Sequence, residues 1–260
     1  HRADTEDGNT VGGFRFLVSG VRFQDADAIA NRCSMPNDVR RKVCLGCEFA
    51  ALFIGLPFAV RYDLSEAHLI IIPAMLIAAA LCLGLLLKDP TFDRTCVWNW
   101  PGLRHDAGRI LLLFVVGVLA LTWAVWQFDR PALFRLPRTC PVLWALIMLV
   151  YPVISVPPQE IIYRVFFFHR YATLFPTPAA RMIISAMVFG LVHIVFDNIV
   201  AVVLTVAGGV IFARRFHRTR SLAAVSLEHS LYGCLIFTVG LGDSLLAGTR
   251  RFIERMVGRP

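Results

Sequence analysis

Charge is what this chain has least of. Only 17% of its 260 residues are Asp, Glu, Lys or Arg, whereas 57% are hydrophobic and the mean hydropathy is +0.65. A soluble domain carries about 25% charged residues, so a single water-facing core is excluded as the home of so many apolar side chains. Lysine is nearly missing: two Lys stand beside 24 Arg, a skew that fits a GC-rich coding sequence. No soluble basic segment interleaved with aromatics exists, so the net charge of +8 belongs to loop Arg at a membrane surface and not to a nucleic-acid groove. The cysteines are odd in number, seven, and scattered, which excludes a disulfide framework. Cys44 and Cys47 have CxxC spacing, but no second pair follows at zinc-ribbon distance and no thioredoxin-like pattern surrounds them. They read as ordinary cysteines at a membrane entry. Low-complexity tracts and repeats are absent too.

What the chain has is a series of apolar windows close to 20 residues long, each able to span the ~30 Å hydrocarbon core as a helix. Spans are expected at 45–61, 68–87, 109–128, 142–171, 181–197, 198–213 and 221–242. The fold class is therefore all-α: a polytopic transmembrane helix bundle of about seven spans, or six to eight if 181–213 is cut differently. The long span 142–171 is expected to break or kink at Pro157–Pro158, since proline lacks the backbone donor. Three regions follow: an N-terminal segment 1–44, a transmembrane domain 45–242, and a tail 243–260 read as an interfacial amphipathic helix. Residues 1–34 precede MPNDVRRKVCLGCEFAALF, which looks like a natural beginning, and read as non-native, upstream or disordered sequence. The Arg and Lys bias of the loops, strongest in 1–44, 88–109 and RRFHRTR at 214–220, places the N-terminus in the cytoplasm. A bacterial inner membrane is the expected location.

Ionisable residues inside spans cost about 2.5 to 3.5 kcal/mol each to insert and are functional candidates by default. They are Glu48, Glu160, Arg164, His169, His193, Asp197, Glu228 and His229. Glu48 lies in the first turns of its span and is read as solvated or paired. His169 comes nine residues after Glu160, about 180° round a helix, and faces away from it. Asp197 and Asn198 punctuate a connection, where a cap or turn role is favoured. Three groups on three helices are left: Glu160 with Arg164 in PPQEIIYR, Phe189 with His193 in FGLVH, and Glu228 with His229 in LEHSLYG. Glu160 and Arg164 lie four apart on one helix face and can pair, which lowers the cost of burying both. A carboxylate and two imidazoles converging in a bundle form the three-ligand shell of a catalytic zinc, with the fourth place open to water. The bland alternative is that each polar residue only glues helices together.

QEIIYR, FGLVH and EHSLYG, in this order on successive spans, resemble the three motifs of the CAAX protease and bacteriocin-processing (CPBP, or Abi) family of intramembrane metalloproteases, related to the Ras-converting CAAX endopeptidase. The resemblance covers about 142–242. It implies that Glu160 and Arg164 are the second Glu and the Arg of motif one, that Phe189 and His193 fill motif two, and that His229 opens motif three. Gln159 stands where many members have the first Glu, and Gly233 where an Asn or other small residue follows. An amide such as Gln159 is no base near neutral pH but can hydrogen-bond substrate or an oxyanion. The implied activity is an intramembrane endopeptidase acting on a membrane-associated or lipid-modified protein. Its catalytic residues would be Gln159, Glu160, Arg164, His193 and His229. Its metal would be Zn2+ on Glu160, His193 and His229, unless the Glu and His residues activate water without one. The expected partners are membrane lipids and a protein or peptide substrate, with no nucleic acid. Two alternatives come from other classes: a non-catalytic scaffold or immunity factor keeping the fold, and an ion-coupled transporter using the same residues as a relay.

Overall fold

A computed structural model describes residues 36–63 and 68–242. The expectations for 1–34 and for the tail 243–260 lie outside the described residues. The chain divides into two units, 1–41 and 42–260, and the packing below is that of the second. Among the described residues there is no strand. Among the described residues seven helices are long and apolar enough to cross a membrane: α1 Asn37–Tyr62, α2 Ile71–Lys88, α3 Trp100–Phe128, α4 Pro141–Arg170, α5 Pro178–Phe196, α6 Ile199–Thr219 and α7 Leu222–Val239. The seven-span helical bundle expected from the sequence is borne out.

The helix ends follow local chemistry that hydropathy does not register. α3 begins at Trp100 and not near 109, because the Asn99 side chain accepts from the Gly102 amide and Pro101 sits in the first turn. The cut between α5 and α6 is made by two polar residues. Asp197 takes the left-handed conformation with φ 55, and Asn198 Oδ1 accepts from the amides of Val200 and Ala201 at 2.8 and 3.3 Å. At the far end of α6, the Asn99 side chain donates to the Thr219 carbonyl at 2.9 Å, and the Ser221 hydroxyl donates to the Asn99 carbonyl at 2.7 Å. The starts of α3 and α7 are thereby locked to the end of α6.

α4 does not break at its proline pair. It stays helical from Pro141 to Arg170 by alternating between two helix types. A π turn covers Tyr151–Ser155, a single α turn Val156–Glu160, and a second π turn Ile161–Phe166. Pro157 and Pro158 fall in the first turn of that α segment, the position where a missing amide proton costs least. The Ile161 amide then bonds the carbonyls of both prolines. Wide turns of this kind are uncommon and gather at functional sites.

Apolar side chains line the outside of the bundle as well as the inside. Leu81, Leu111, Leu119, Trp123 and Val203 are all exposed, a surface suited to lipid and not to water. The inside is aromatic. Phe53, Tyr163, Phe167, Tyr171, Phe189 and Phe212 belong to one buried cluster, with Phe53 edge-on to Tyr163 and to Phe167 at 5.6 and 5.7 Å between ring centroids. One rim is tied by polar pairs. Arg170 bonds both oxygens of Glu48 at 3.0 and 2.6 Å, and the Tyr171 hydroxyl donates to Glu48 Oε1. His169 meets Asp89 at 2.9 Å. Hydrogen bonds from His169 and Thr91 hold the Asp89 carboxylate well below the usual carboxylate range.

α5 and α6 pack closely because small residues let their backbones approach. A Cβ added at Gly190 would stand 2.1 Å from Val206 Cγ2 and 3.2 Å from its backbone nitrogen. Gly190→Leu is therefore expected to lower stability by about 1 to 3 kcal/mol through overpacking, read as the unfolding midpoint in detergent. Val206→Ala in the same chain should recover part of the loss.

Candidate active site

The site is built around one carboxylate. Glu160 is 0% exposed and closes the single α turn that lies between the two π turns of α4. Its Oε1 lies 2.7 Å from His229 Nδ1 on α7, 69 residues further along the chain. Its Oε2 lies 3.2 Å from Arg164 Nε. That contact is an ion pair without hydrogen-bond alignment, so Glu160 Oε2 and the Nε and Nη1 of Arg164 have no hydrogen-bond partner. Arg164 is itself 0% exposed. Its guanidinium lies 4.3 Å from the centroid of the Phe189 ring and 5.6 Å from that of Phe212, and its Nη2 reaches the Gly209 carbonyl at 3.4 Å. A weakly hydrated planar cation stacked on aromatic faces is the cation best suited to such a place.

These partners set the tautomer that each imidazole has when neutral. A carboxylate only accepts, so the neutral His229 imidazole carries its proton on Nδ1, which leaves the lone pair on Nε2. The Tyr151 hydroxyl, 3.0 Å from that nitrogen, donates to it. His193 Nδ1 lies 2.7 Å from the Phe189 carbonyl; that nitrogen is the donor, and Nε2 again has the lone pair. Phe189 packs edge-on against both rings, with centroids 5.0 Å from His193 and 5.5 Å from His229. Phe212 stacks on His229 at 4.6 Å.

The predicted residues are thus brought together unequally. Glu160 touches both Arg164 and His229, whereas His193 is joined to them through Phe189. Gln159 is half-buried, and its amide nitrogen is donated to the carbonyl and hydroxyl of Ser155, both at 2.9 Å. It braces its own helical turn instead of offering that donor to a substrate. Glu228, grouped with His229 by sequence, faces another partner. Arg215 on α6 grips both of its oxygens at 2.8 and 2.9 Å and also binds Asp106 on α3, which Arg109 and Arg218 reach as well. This buried network fixes α7 against α3 and α6 one residue before His229.

The zinc shell expected on Glu160, His193 and His229 does not fit this arrangement. Among the described residues no group of three or more His, Cys, Asp and Glu side chains is placed to hold a metal ion. Glu160 Oε1 and His229 Nδ1 are committed to each other at 2.7 Å, and Phe189 packs against the rings of both His193 and His229.

Three contributors were not legible as site residues. Tyr151 is an aromatic in an apolar run, and Phe212 looks like any core residue. Arg61 holds the segment after His193, donating to the Ile194 carbonyl at 2.8 Å and to Asp197 at 2.7 Å. Only the Asp197 turn signal pointed there.

Comparison with known families matches residues 141–235 to the Rce1-like family, described as type II CAAX prenyl endopeptidase Rce1-like. The match takes in all three motifs, and the resemblance read from them is borne out over 95 of the 260 residues. No curated protein and no solved structure matches the chain.

Removing one partner of a buried pair leaves the other charge uncompensated, at a cost of about 3 to 5 kcal/mol. Arg164→Met should destabilise the purified protein by that amount in unfolding experiments. The double variant Glu160→Gln/Arg164→Met, which removes both charges, should be the more stable of the two.

Proposed function

We propose that this chain, whose residues 141–235 match the CAAX prenyl endopeptidase family, is a membrane-embedded peptidase that hydrolyses a peptide bond in a lipid-modified, membrane-anchored protein with His229 as general base. The observation that carries the reading is the 2.7 Å contact between Glu160 Oε1 and His229 Nδ1, which joins the first and third motifs into a carboxylate–imidazole pair. In that pair the carboxylate fixes the tautomer and supports the imidazolium that forms, and the imidazole does the proton transfer. Glu160, fully buried, acts through His229 and does not meet water itself. Arg164 faces the second oxygen of Glu160 as an ion-pair partner at 3.2 Å.

The chemistry runs through His229 Nε2. When the Tyr151 hydroxyl gives up that nitrogen, a water takes its place and passes a proton to the lone pair as its oxygen attacks the peptide carbonyl carbon. His193, with Nδ1 committed to the Phe189 carbonyl, has a lone pair on Nε2 to accept a hydrogen bond from the water's other O–H, which stays on the attacking oxygen and is aimed by it. When the C–N bond breaks, the leaving amine takes the proton from His229. Apolar outer walls let a substrate's lipid chain lie in the bilayer beside the helices.

Zinc enters no step of this sequence, and a metal analysis of the detergent-purified protein should find it well below one equivalent. Stoichiometric zinc that disappears in His193→Ala and His229→Ala would overturn the metal-free reading.

The functional test is cleavage of a farnesylated peptide ending in a CAAX sequence by protein reconstituted in liposomes. His229→Ala should lower kcat by about 100-fold or more, the range of a lost general base, and Glu160→Gln should follow it. Gln159→Glu, which sets a carboxylate oxygen against the Ser155 carbonyl, should lower turnover; a gain would mark the native chain as attenuated. A wild type without cleavage in this assay would favour a non-catalytic scaffold.

A further inference from the structure

The third motif lacks a side chain at Gly233, and the space beside it is filled. A Cβ built at Gly233 would stand 2.2 Å from Tyr151 Cε1, 2.5 Å from Cζ and 2.4 Å from the hydroxyl oxygen. No side chain can be placed at 233 while Tyr151 keeps its rotamer. The same Tyr151 hydroxyl lies 3.0 Å from His229 Nε2, the atom that must receive the proton of the attacking water. Tyr151 is held there by Phe237, edge-on at 5.6 Å, and by its position at the start of the π turn before the prolines.

The other donors near the motifs are committed elsewhere. The Tyr232 hydroxyl donates to the Leu113 carbonyl at 2.8 Å, and the Gln159 amide donates to Ser155. Arg164 is stacked under Phe189 and fully buried. The hydroxyl of Tyr151 is the uncharged donor that stands at the reacting nitrogen.

We infer that Tyr151 is a catalytic residue of this chain, its hydroxyl supplying the hydrogen-bond donor that a side chain at position 233 would otherwise bring, and that Gly233 exists to admit it. The inference rests on the peptidase reading above. Water bound at His229 Nε2 displaces the hydroxyl by the width of one hydrogen bond and leaves it beside the carbonyl under attack. As the water oxygen bonds the carbonyl carbon, the π pair moves to the carbonyl oxygen, and the Tyr151 O–H donates to that oxyanion without transferring its proton. The donor is then strongest where charge develops, in the transition state.

Three measurements decide it, using the full chain in liposomes and the farnesylated CAAX peptide. Tyr151→Phe, which keeps the ring, should lower kcat by about 100-fold with KM within about twofold, a split that loose packing would not give. Gly233→Asn alone should be inactive from crowding, whereas Tyr151→Ala/Gly233→Asn should exceed Tyr151→Ala by about tenfold or more, a partial return of a donor worth 10². In 15N spectra of histidine-labelled protein, Tyr151→Phe should move the His229 Nε2 resonance toward that of a free imidazole nitrogen and leave His193 in place. An active wild type whose kcat survives Tyr151→Phe, a double variant no better than Tyr151→Ala, or an unmoved Nε2 resonance each overturns the assignment alone. A wild type that cleaves nothing overturns the peptidase reading and the role of Tyr151 with it.

Discussion

Everything in the motif-bearing half of this bundle is arranged around a carboxylate that has no water. Glu160 is completely buried, and an isolated carboxylate in such a place would neutralise itself or unfold the helix that carries it. It is kept by two partners, Arg164 one turn along the same helix and His229 from α7. The ion pair alone would be a poor bargain, since desolvating two charges cancels much of their attraction. The pair becomes useful because its remaining oxygen grips an imidazole and sets which nitrogen of that imidazole is basic.

The rest of the fold can be read as support for that geometry. Phe189 and Phe212 supply the faces on which Arg164 and His229 stack, and Gly209, whose bare Cα lets α6 approach Ala186 of α5, offers its carbonyl to Arg164. The network of Asp106, Arg215 and Glu228 stops α7 from rotating, and the residue after Glu228 is His229. Arg61 stabilises the turn that follows His193. In a bilayer such polar contacts fix rotation as well as association, because lipid offers the helices no other partner for those groups.

The alternation of π and α turns in α4 is the local device that makes the site possible. Two prolines in a membrane helix would normally leave carbonyls without donors. Here a π turn precedes them and another follows, so the helix continues while its side chains are rotated out of ordinary α register. Tyr151 on the first π turn and Arg164 on the second both reach the neighbourhood of His229 and Glu160. An α-helical projection of the sequence places Glu160 and Arg164 on one face correctly but gives no reason to add Tyr151.

The sequence by itself determined the membrane class, the seven helices, and the three polar groups in family order. Each of these depends on composition or on spacing within one helix, which the chain writes out in order. It also marked Gln159 and Gly233 as departures from the motifs without saying what the departures do. Only the tertiary structure decided that Glu160 turns to His229, that Glu228 turns away to Arg215, that Gln159 braces Ser155, and that Tyr151 occupies the space opened by Gly233. These are contacts between side chains from different helices, or across turns whose type is not α. They depend on helix rotation and close backbone approach, which the packing of the whole bundle sets and no single stretch of sequence encodes.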